Sequence, residues 1–447
     1  MSKKQMHLGS FFTTYLGHHL AAWRYPETKT EEVLNLSLYK EIAELSEKGK
    51  FDMLFIADVL AHNEEDIEYT PQVRLEGPTV MASLSAVTTK IGLASTLSTT
   101  YHHPYNVARE FSTQDHLSGG RAAWNIVTSA HDNEAQNYGE THHLNHSLRY
   151  EKCEEFVQVT KQLWDSWEDE TLLFDRDNGK FLDGSKINPI HFQGNYYNVR
   201  GPLNIPRSPQ GNPVLISAGA SPRGQEFAAK VADVFFTIAS STVEEGKAVY
   251  KEMKQKVRSY GRDPNQFKIM PGVVPFVGQT QKEAEEKLEH FQELILPELG
   301  IGMLSRYLGI DLIDHSPDSL LPEVPALAQY NGEKGRFKIL SELSEKENLT
   351  IRQLGRLFAR GQGHLFVVGS GDQVADKLSE WFLNEACDGF NVKIPYLPGG
   401  VADFVDHVTP ELQNRGLFRT DYEGTTLRDH LGLEYPKAKL KTNASHN

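Results

Sequence analysis

Residues 218–224, which read AGASPRG, combine a glycine turn with the start of a helix. Gly219 permits a tight turn, Ser221 is suited to the N-cap, and Pro222 is suited to the first helical position. The first N–H groups of a helix have no partner within it, so they and the Ser221 hydroxyl can bind a phosphate, with Arg223 nearby. An ordinary capped helix has the same pattern, so the segment by itself leaves both interpretations open.

Small polar residues end several strand-like runs. The apolar run at residues 51–57 leads into Asp58, and the run at residues 122–127 contains Asn125 and leads into Ser129. In parallel α/β architectures, ligand-binding groups lie at the carboxyl ends of strands. These positions therefore predict the rim of a binding site, although Asp58 could equally cap the turn that follows it.

Three closely spaced histidines, His142, His143 and His146, precede or open a predicted helix at residues 148–164. Such a cluster could bind a metal, but no acidic or cysteine partner has convincing spacing, so we predict no metal site. His146 and Tyr150 are four residues apart. If the helix begins early, both side chains share one face and can donate hydrogen bonds into a binding site.

His18 and His19 follow the first strand pattern and stand close to Trp23. The pair could orient a substrate, or it could belong to a packed loop with satisfied polar groups. The chain has no G-x-G-x-x-G after a strand, no Walker A motif, no H-E-x-x-H and no G-x-S-x-G. The common dinucleotide, nucleotide, zinc-protease and serine-hydrolase motifs are therefore absent from the sequence.

Strand-like and helix-like patterns alternate from end to end of the 447 residues. About eight strands interleaved with helices favour an α/β fold, specifically a (β/α)8 TIM barrel with insertions, in which residues 1–447 form a single elaborated barrel domain. A further short run at residues 364–368 is predicted as a strand of an insertion or a rim.

Two long stretches, residues 168–212 and 300–363, interrupt the alternation and are predicted to be insertions. The second is the candidate for a mobile lid because of its length and its Gly and Pro content. Residues 434–447 form a polar tail that we expect to be frayed.

The net charge of −14 and the absence of a basic stripe argue against nucleic acid or a membrane surface as partner. There are two cysteines, Cys153 and Cys387, which is typical of a reducing compartment. The sequence contains no apolar run long enough for a signal peptide or a membrane span. We expect a cytoplasmic protein.

At these motifs the sequence resembles the bacterial-luciferase-like flavin-dependent monooxygenases, and within them the branch of nitrilotriacetate, dibenzothiophene-sulfone and long-chain alkane monooxygenases. The similarity covers most of residues 7–400 and rests on several segments. These are GHHLAAWRYP (17–26), FDMLFIAD (51–58), IGLASTLSTTYHHPYNVAREFSTQDHLSGGRAAWNIVTS (91–129), the stretch containing His146, Arg149 and Tyr150, and RGPLNIPRSPQGNPVLISAGASPRGQEFAAKVADVFFT (200–237).

This resemblance implies a barrel that binds FMN, which arrives reduced as FMNH2 from a separate NAD(P)H:flavin reductase. The residues at matching positions are implied as flavin contacts or their neighbours: Asp58, Thr96, Asn125, Ser129, His146, Tyr150, Gly219, Ala220 and Ser221. His18 and His19 are the candidate catalytic residues on the substrate side. Two departures concern Gly77, which stands between Glu76 and Pro78, and NHSLRY in place of the acidic residue that the family has before Arg149.

The activity implied is that of a two-component monooxygenase. It would insert one oxygen atom of O2 into a small organic substrate at a C–S, C–N or C–H position through a flavin C4a-peroxide, and relatives suggest a dimer or tetramer. Two alternatives remain: a non-catalytic flavin-binding barrel, and a metal-dependent barrel hydrolase using His142, His143 and His146. A deazaflavin-dependent oxidoreductase would be a near relative.

Overall fold

The computed structural model describes residues 4–12, 16–62, 64, 67–219, 221–238, 242–326, 330 and 334–438. Side chains are described at these positions except at 334, 346 and 347.

Parallel strands in the described residues close into an eight-membered ring, in which β1 pairs with β2 on one side and with β9 on the other. The runs are almost wholly apolar because both faces of a barrel strand are buried. This confirms the (β/α)8 prediction. In chain order the parallel strands are β1 His7–Phe12, β2 Met53–Ile56, β3 Gly92–Ser98, β4 Ala122–Val127, β5 Val214–Ala218, β6 Val234–Thr237, β7 Lys268–Gly278, β8 Leu365–Ser370 and β9 Gly389–Lys393.

The strand β8 lies outside this ring. It pairs with the carboxyl half of β7, from Val273 to Gly278, whereas the amino half of β7 pairs with β6. β9 contacts β7 at Gly272 and Val273 and then continues the ring to β1. The prediction of a strand near residues 364–368 is therefore confirmed. The strand is not part of the barrel wall, because among the described strands it pairs with β7 alone.

Helices follow most of the strands, and the helix predicted at residues 148–164 is observed from His146 to Trp164. Several start with the expected caps: Asn145 accepts from the Leu148 N–H, and Ser221 accepts from the Gly224 N–H. No helix in the described part of the chain is long and apolar enough to cross a membrane. The main helices are α1 Leu36–Lys48, α2 Gly77–Ser85, α3 Pro104–Ser118, α4 His146–Trp164, α5 Pro222–Val231, α6 Val243–Ser259, α7 Gln281–Glu293, α8 Pro297–Leu308, α9 Lys334–Glu347, α10 Ile351–Gly361 and α11 Gly371–Leu383.

The two stretches that were predicted to be insertions have different structures. Residues 168–212 contain two short antiparallel pairs, Leu172–Asp175 with Lys180–Leu182 and Phe192–Gln193 with Asn198–Val199. Residues 300–363 are largely helical, and α8, α9 and α10 share a hydrophobic cluster that also includes Ala21 after β1. α8 and α10 approach closely because Gly300 and Gly355 face each other, where a Cβ on Gly355 would lie 3.2 Å from the Cα of Gly300.

The amino end of the barrel is closed by residues 417–433, which sequence patterns did not reveal. Leu427 and Leu431 are buried among the strands, and a Cβ on Gly92 would lie 2.5 Å from a methyl group of Leu427. The expected fraying after Leu433 is wrong for the first residues of the tail, because the Glu434 N–H donates to Gln266 and the Tyr435 ring packs on a guanidinium. Residues 439–447 lie outside the described residues.

A buried ion pair links this closing segment to the barrel. Asp52, which is fully buried, accepts from the Leu8 N–H at 2.7 Å, faces Nδ1 of His7 at 3.0 Å, and accepts from Nη2 of Arg419 at 2.5 Å. Burial alone would raise the pKa of Asp52, but Arg419 and His7 hold that pKa below its ordinary value of 3.8. The carboxylate therefore joins β1 to the carboxyl-terminal segment.

We predict that Asp52→Asn lowers the free energy of unfolding by about 3–5 kcal/mol, because it leaves the buried guanidinium of Arg419 without its counter-charge. The folded-state pKa lies below that of the unfolded chain, so the stabilisation is complete above pH 3.8 and is lost as the pH falls through the folded pKa. Guanidinium unfolding of the wild type and variant across pH measures both effects.

Asp421→Asn is the matched control. Asp421 pairs with Lys50 at 3.0 Å on the surface, where ion pairs contribute little. This variant should unfold like the wild type. Equal unfolding midpoints for Asp52→Asn and the control would contradict the role given to the buried pair.

Candidate functional site

A cavity of about 1130 Å³ opens at the carboxyl ends of the barrel strands. Ala220 lies outside the described residues. All the other residues predicted for the site line this cavity: His18, His19, Asp58, Thr96, Asn125, Ser129, His146, Tyr150, Gly219 and Ser221. The folded chain therefore brings together residues that are more than 200 positions apart in the sequence.

A short hydrogen-bond chain crosses the cavity wall between β2, β3 and β4. The Thr96 hydroxyl donates to the carbonyl of Ile56 at 2.9 Å and accepts from Nδ2 of Asn125 at 2.9 Å. In the described residues the remaining amide atom, Oδ1 of Asn125, is buried without a hydrogen-bond partner. A buried acceptor without a partner is costly, so this atom is placed to accept from a donor on a bound molecule.

The helix start after β5 forms a small polar pocket. The Ser221 hydroxyl accepts from the Gly224 N–H at 3.1 Å and contacts the hydroxyl of Tyr150. The space depends on glycine, because a Cβ on Gly224 would lie 2.9 Å from that tyrosine hydroxyl and 3.2 Å from Oγ of Ser221. Together with Gly219, these groups form what we call the anion cradle, which combines hydroxyl donors with a helix N-terminus.

Arg223 has a different role from the one considered for it in the sequence. Its guanidinium lies 3.0 Å from Glu154 and 3.5 Å from Glu226, and the residue does not line the cavity. It therefore pairs with helix surfaces, and the anion cradle relies on uncharged donors.

His146 and Tyr150 share one face of α4, as the sequence predicted for a helix that begins early. Asn145 caps the helix, which makes His146 its first residue, and the two rings lie 5.0 Å apart. Burial raises the pKa of Tyr150. The phenol is therefore protonated at neutral pH and can donate a hydrogen bond into the cavity.

Ser129 is held in a left-handed conformation with φ of 56°. Its hydroxyl donates to Glu134 at 2.9 Å, and its carbonyl accepts from Nη1 of Arg149 at 2.5 Å. Glu134 also accepts from the N–H groups of Ala130 and His131. Non-glycine residues rarely adopt this conformation, because it is strained. The hydrogen bonds of Ser129 and Glu134 offset that strain and hold the loop after β4 in place.

Asp58 follows β2 at the mouth of the cavity. Its carboxylate accepts from the N–H of Val59 at 2.8 Å, and burial raises its pKa. It therefore caps its own turn, as the simpler interpretation suggested, and also lines the cavity.

The two candidate catalytic histidines differ in their surroundings. Nδ1 of His19 accepts from the Ala21 N–H at 3.2 Å, and its Nε2 lies 3.1 Å from the side-chain amide of Gln292. Burial lowers the pKa of His19 to about 3, so this ring is neutral and both nitrogens are engaged. His18 donates to the carbonyl of Gly361, but its Nε2 is buried without a partner among the described residues.

The histidines considered as metal ligands do not converge. His142 lies 3.1 Å from Asp132 on the surface, and His143 contacts the Tyr101 hydroxyl at 2.5 Å. Among the residues the structure describes, no three His, Cys, Asp or Glu side chains are grouped so as to hold a metal. The geometry thus gives no support to the hydrolase alternative.

Sequence analysis missed part of the cavity wall. Phe11, Phe55 and Phe236 form an aromatic floor with ring centroids 5.0–6.0 Å apart. Lys393 and His364 stand beside it. The lysine had a visible signal, since it is the charged residue of the otherwise uncharged run GFNVKIP, whose carboxyl end faces the cavity. His364 had none, because it precedes a strand outside the ring.

The family model described as luciferase-like monooxygenase matches residues 11–385. Three curated proteins are similar over nearly the full chain. N-acetyl-S-(2-succino)cysteine monooxygenase of Bacillus subtilis (strain 168) is 46% identical, covering 97% of this chain and 98% of that protein. Nitrilotriacetate monooxygenase component A of Aminobacter aminovorans is 44% identical, and dibenzothiophene-sulfone monooxygenase of Rhodococcus erythropolis (strain XP) is 41% identical, over 98% and 97% of this chain and 98% of each protein.

Three solved structures are also similar to this chain over nearly its full length. DmoA from Hyphomicrobium sulfonivorans superposes with a TM-score of 0.87 at 33% identity, covering 96% of this chain and 92% of that one. The long-chain alkane monooxygenase LadA has a TM-score of 0.83 at 33% identity, with 97% and 96% covered. Riboflavin lyase, whose structure contains modified FMN and riboflavin, has a TM-score of 0.85 at 27% identity, with 97% of both chains covered.

Proposed function

The chain belongs to the luciferase-like monooxygenase family of flavin-dependent oxidoreductases, and from this premise we propose that it is the oxygenating component of a two-component system. It would use reduced FMN and O2 to insert one oxygen atom into a small organic substrate at a C–S, C–N or C–H position. The observation that carries the proposal is the cavity that joins the anion cradle to the unpartnered acceptor of Asn125.

The residues present fit a flavin mononucleotide. Hydroxyls of Ser221 and Tyr150, together with the turn at Gly219, would hold the phosphate at the start of α5. Oδ1 of Asn125 would accept a hydrogen bond from an N–H of the flavin ring, and Thr96 holds that amide in place. Asp58, Ser129 and His146 would complete the flavin contacts, as proposed from the sequence.

The flavin, when bound in reduced form, supplies two electrons to O2, so that one oxygen atom enters the substrate and the other leaves as water. The chain's contribution is positioning and the exclusion of water. The aromatic floor of Phe11, Phe55 and Phe236 gives the reacting region an apolar wall. Such a wall limits the water and free protons that would divert reduced flavin and O2 to hydrogen peroxide.

A separate NAD(P)H:flavin reductase is proposed as the partner. The name "component A" of the Aminobacter relative is that of one part of a multi-component enzyme, and the present chain has no dinucleotide fingerprint after a strand. The relatives' names cover thioethers, aminopolycarboxylates, sulfones and alkanes. These four classes define the substrates to test.

We expect oxygenated product only when protein, FMN, NADH and a flavin reductase are all present. The measurement is a reductase-coupled assay under 18O2 with members of the four classes, followed by mass spectrometry for products that carry one labelled oxygen atom. A non-catalytic flavin-binding barrel would give the opposite result: FMN binding, but hydrogen peroxide as the product whichever compound is added.

We predict that Ser221→Ala weakens the binding of reduced FMN by about 1–2 kcal/mol, roughly 5- to 30-fold, through loss of a hydrogen bond to a charged phosphate. Anaerobic fluorescence titration measures the affinity. Because Ser221 is also an N-cap, the variant loses some helix stability as well.

Thr280→Ala controls for that loss. Thr280 caps α7 by accepting from the Glu283 N–H at 3.2 Å, and it does not line the cavity. It should lower stability by a similar amount and leave the flavin affinity unchanged. Equal affinities of the wild type and Ser221→Ala would remove Ser221 from the proposed site.

Residues 300–363 are proposed as a lid on the single barrel domain. Ser305, Tyr307 and Ile310 line the cavity, while α8, α9 and α10 pack mainly on one another. Most of this cluster lies within the three helices, and helices that pack on one another can move as one body relative to the barrel.

If this segment closes over bound ligands, reduced FMN and substrate together should protect the exposed loop at residues 311–326 from proteinase K. Anaerobic limited proteolysis with mass mapping of the first cuts measures the protection. The loop at residues 176–179 in the other insertion is the internal control and should be cut at the same rate in both states. Unchanged cleavage at residues 311–326 would argue against closure.

A further inference from the structure

One side of the cavity carries a group of basic side chains that the flavin assignment does not use. It comprises His18, Arg336, His364 and Lys393, and we call it the basic pole. His18 follows β1 and Lys393 ends β9, which are neighbours in the ring. The anion cradle follows β5, which is four strands from β1 in either direction. His18 therefore stands across the barrel mouth from the anion cradle, and Lys393 stands one strand closer to the cradle.

Lys393 is held in place by aromatic rings. It is 3% exposed, its Nζ lies 3.7 Å from the ring centroid of Phe11, and the ring of Phe236 is 5.4 Å away. Phe11 and Lys393 are also directly paired in the sheet. A desolvated ammonium over aromatic faces is stabilised there, and as a charged donor it can bind an anion in the cavity that it lines.

His364 brings a ring with available nitrogen atoms. It stacks on Phe236 at 5.8 Å, and it fits because Gly272 has no Cβ, which would lie 2.5 Å from Nδ1 of His364. Within the described part of the chain, neither of its ring nitrogens has a hydrogen-bond partner, and Nε2 of His18 has none. Both rings are more than nine-tenths buried. Because both residues line the cavity, these unpartnered nitrogen atoms are placed to form hydrogen bonds with a ligand there.

Positive groups act on both rings. Burial lowers the pKa of His18 and of His364, Lys393 is the charged group that acts most strongly in the same direction, and Arg336 adds to the effect. Nε of Arg336 donates to the carbonyl of Gln362 at 3.2 Å, and Nε2 of Gln362 donates to the carbonyl of His18 at 2.8 Å. The guanidinium is thus linked to the same wall.

We propose that the basic pole binds a carboxylate of the substrate, so that the substrates of this enzyme are small organic acids. Lys393 would donate to the carboxylate as a charged group and His364 as a neutral N–H, with Arg336 beside them. The inference rests on the proposed function and deepens it by naming the substrate class. It also places the acid end of the substrate on the side of the cavity away from the flavin phosphate.

The test measures binding separately from turnover. Isothermal titration of the protein loaded with oxidised FMN uses thiodiacetate, iminodiacetate and succinate, each beside its dimethyl ester. We expect at least one acid to bind at least tenfold more tightly than its ester. Lys393→Met should abolish that preference by lowering the affinity for the acid at least tenfold. It should change the affinity for FMN by less than twofold and leave the affinity for the ester unchanged. Lys393→Arg should restore part of the preference.

Lys152→Met is the matched control, since Lys152 is a half-buried lysine whose Nζ donates to the carbonyl of Thr100 and which does not line the cavity. Should Lys393→Met fail to fold, as judged by its unfolding midpoint, His364→Phe serves as the second variant, with the same expected loss. Any of three results would overturn the proposal. These are that no acid binds the wild type, that acid and ester bind with equal affinity, or that Lys393→Met lowers the affinity for FMN and not the affinity for the acid.

Failure of the proposed function is distinguishable from failure of this inference. If the acids bind through Lys393 but no compound yields an oxygenated product in the reductase-coupled assay, the activity is wrong and the carboxylate site stands. If oxygenated products form from esters as readily as from acids, the activity stands and the carboxylate site is wrong.

Discussion

Closure of the parallel sheet into a ring is the constraint on which the other features depend. Hydrogen bonding of β1 to both β2 and β9 leaves no free edge and directs all carboxyl ends to one mouth. The two ends of the barrel are then chemically distinct. Leu427 and Leu431 fill the amino end, where Arg419 neutralises the buried carboxylate of Asp52, whereas the carboxyl end opens into a cavity lined by polar side chains. The filled amino end closes the fold, and the open carboxyl end carries the candidate site.

Features that depend on neighbouring residues were predictable from the sequence. The strand ends at Asp58 and Ser129 and the helix start at Ser221 are local patterns, and the ring then brings them to one cavity. The shared face of His146 and Tyr150 needed only the position of the helix cap at Asn145. The irregular look of residues 300–363 was misleading, because Gly and Pro there stand between helices that pack through Gly300 and Gly355.

Features that depend on distant residues were not predictable. Asp52 and Arg419 are 367 residues apart, and neither has a sequence neighbour that indicates a pair. Gln362 and His18 are 344 apart and meet because β8 lies outside the ring against β7. The same arrangement places His364 over Gly272. The sequence shows that Lys393 is unusual within an apolar strand, but only the ring shows which aromatic rings and histidines surround it.

The contrast between His18 and His19 shows why burial alone does not identify a functional group. Both are buried and both have a lowered pKa, yet His19 uses both nitrogens within the protein and His18 leaves one facing the cavity. The same distinction separates Arg223, which pairs with glutamates on helix surfaces, from Ser221, which faces the cavity with a smaller and uncharged group. Neutral donors suit a phosphate that helix N–H groups already attract. A buried ammonium and a histidine N–H suit a carboxylate that has no helix start to receive it. Two different anions bound at separate places in one mouth would fix the substrate's reactive atom between them, over the aromatic floor.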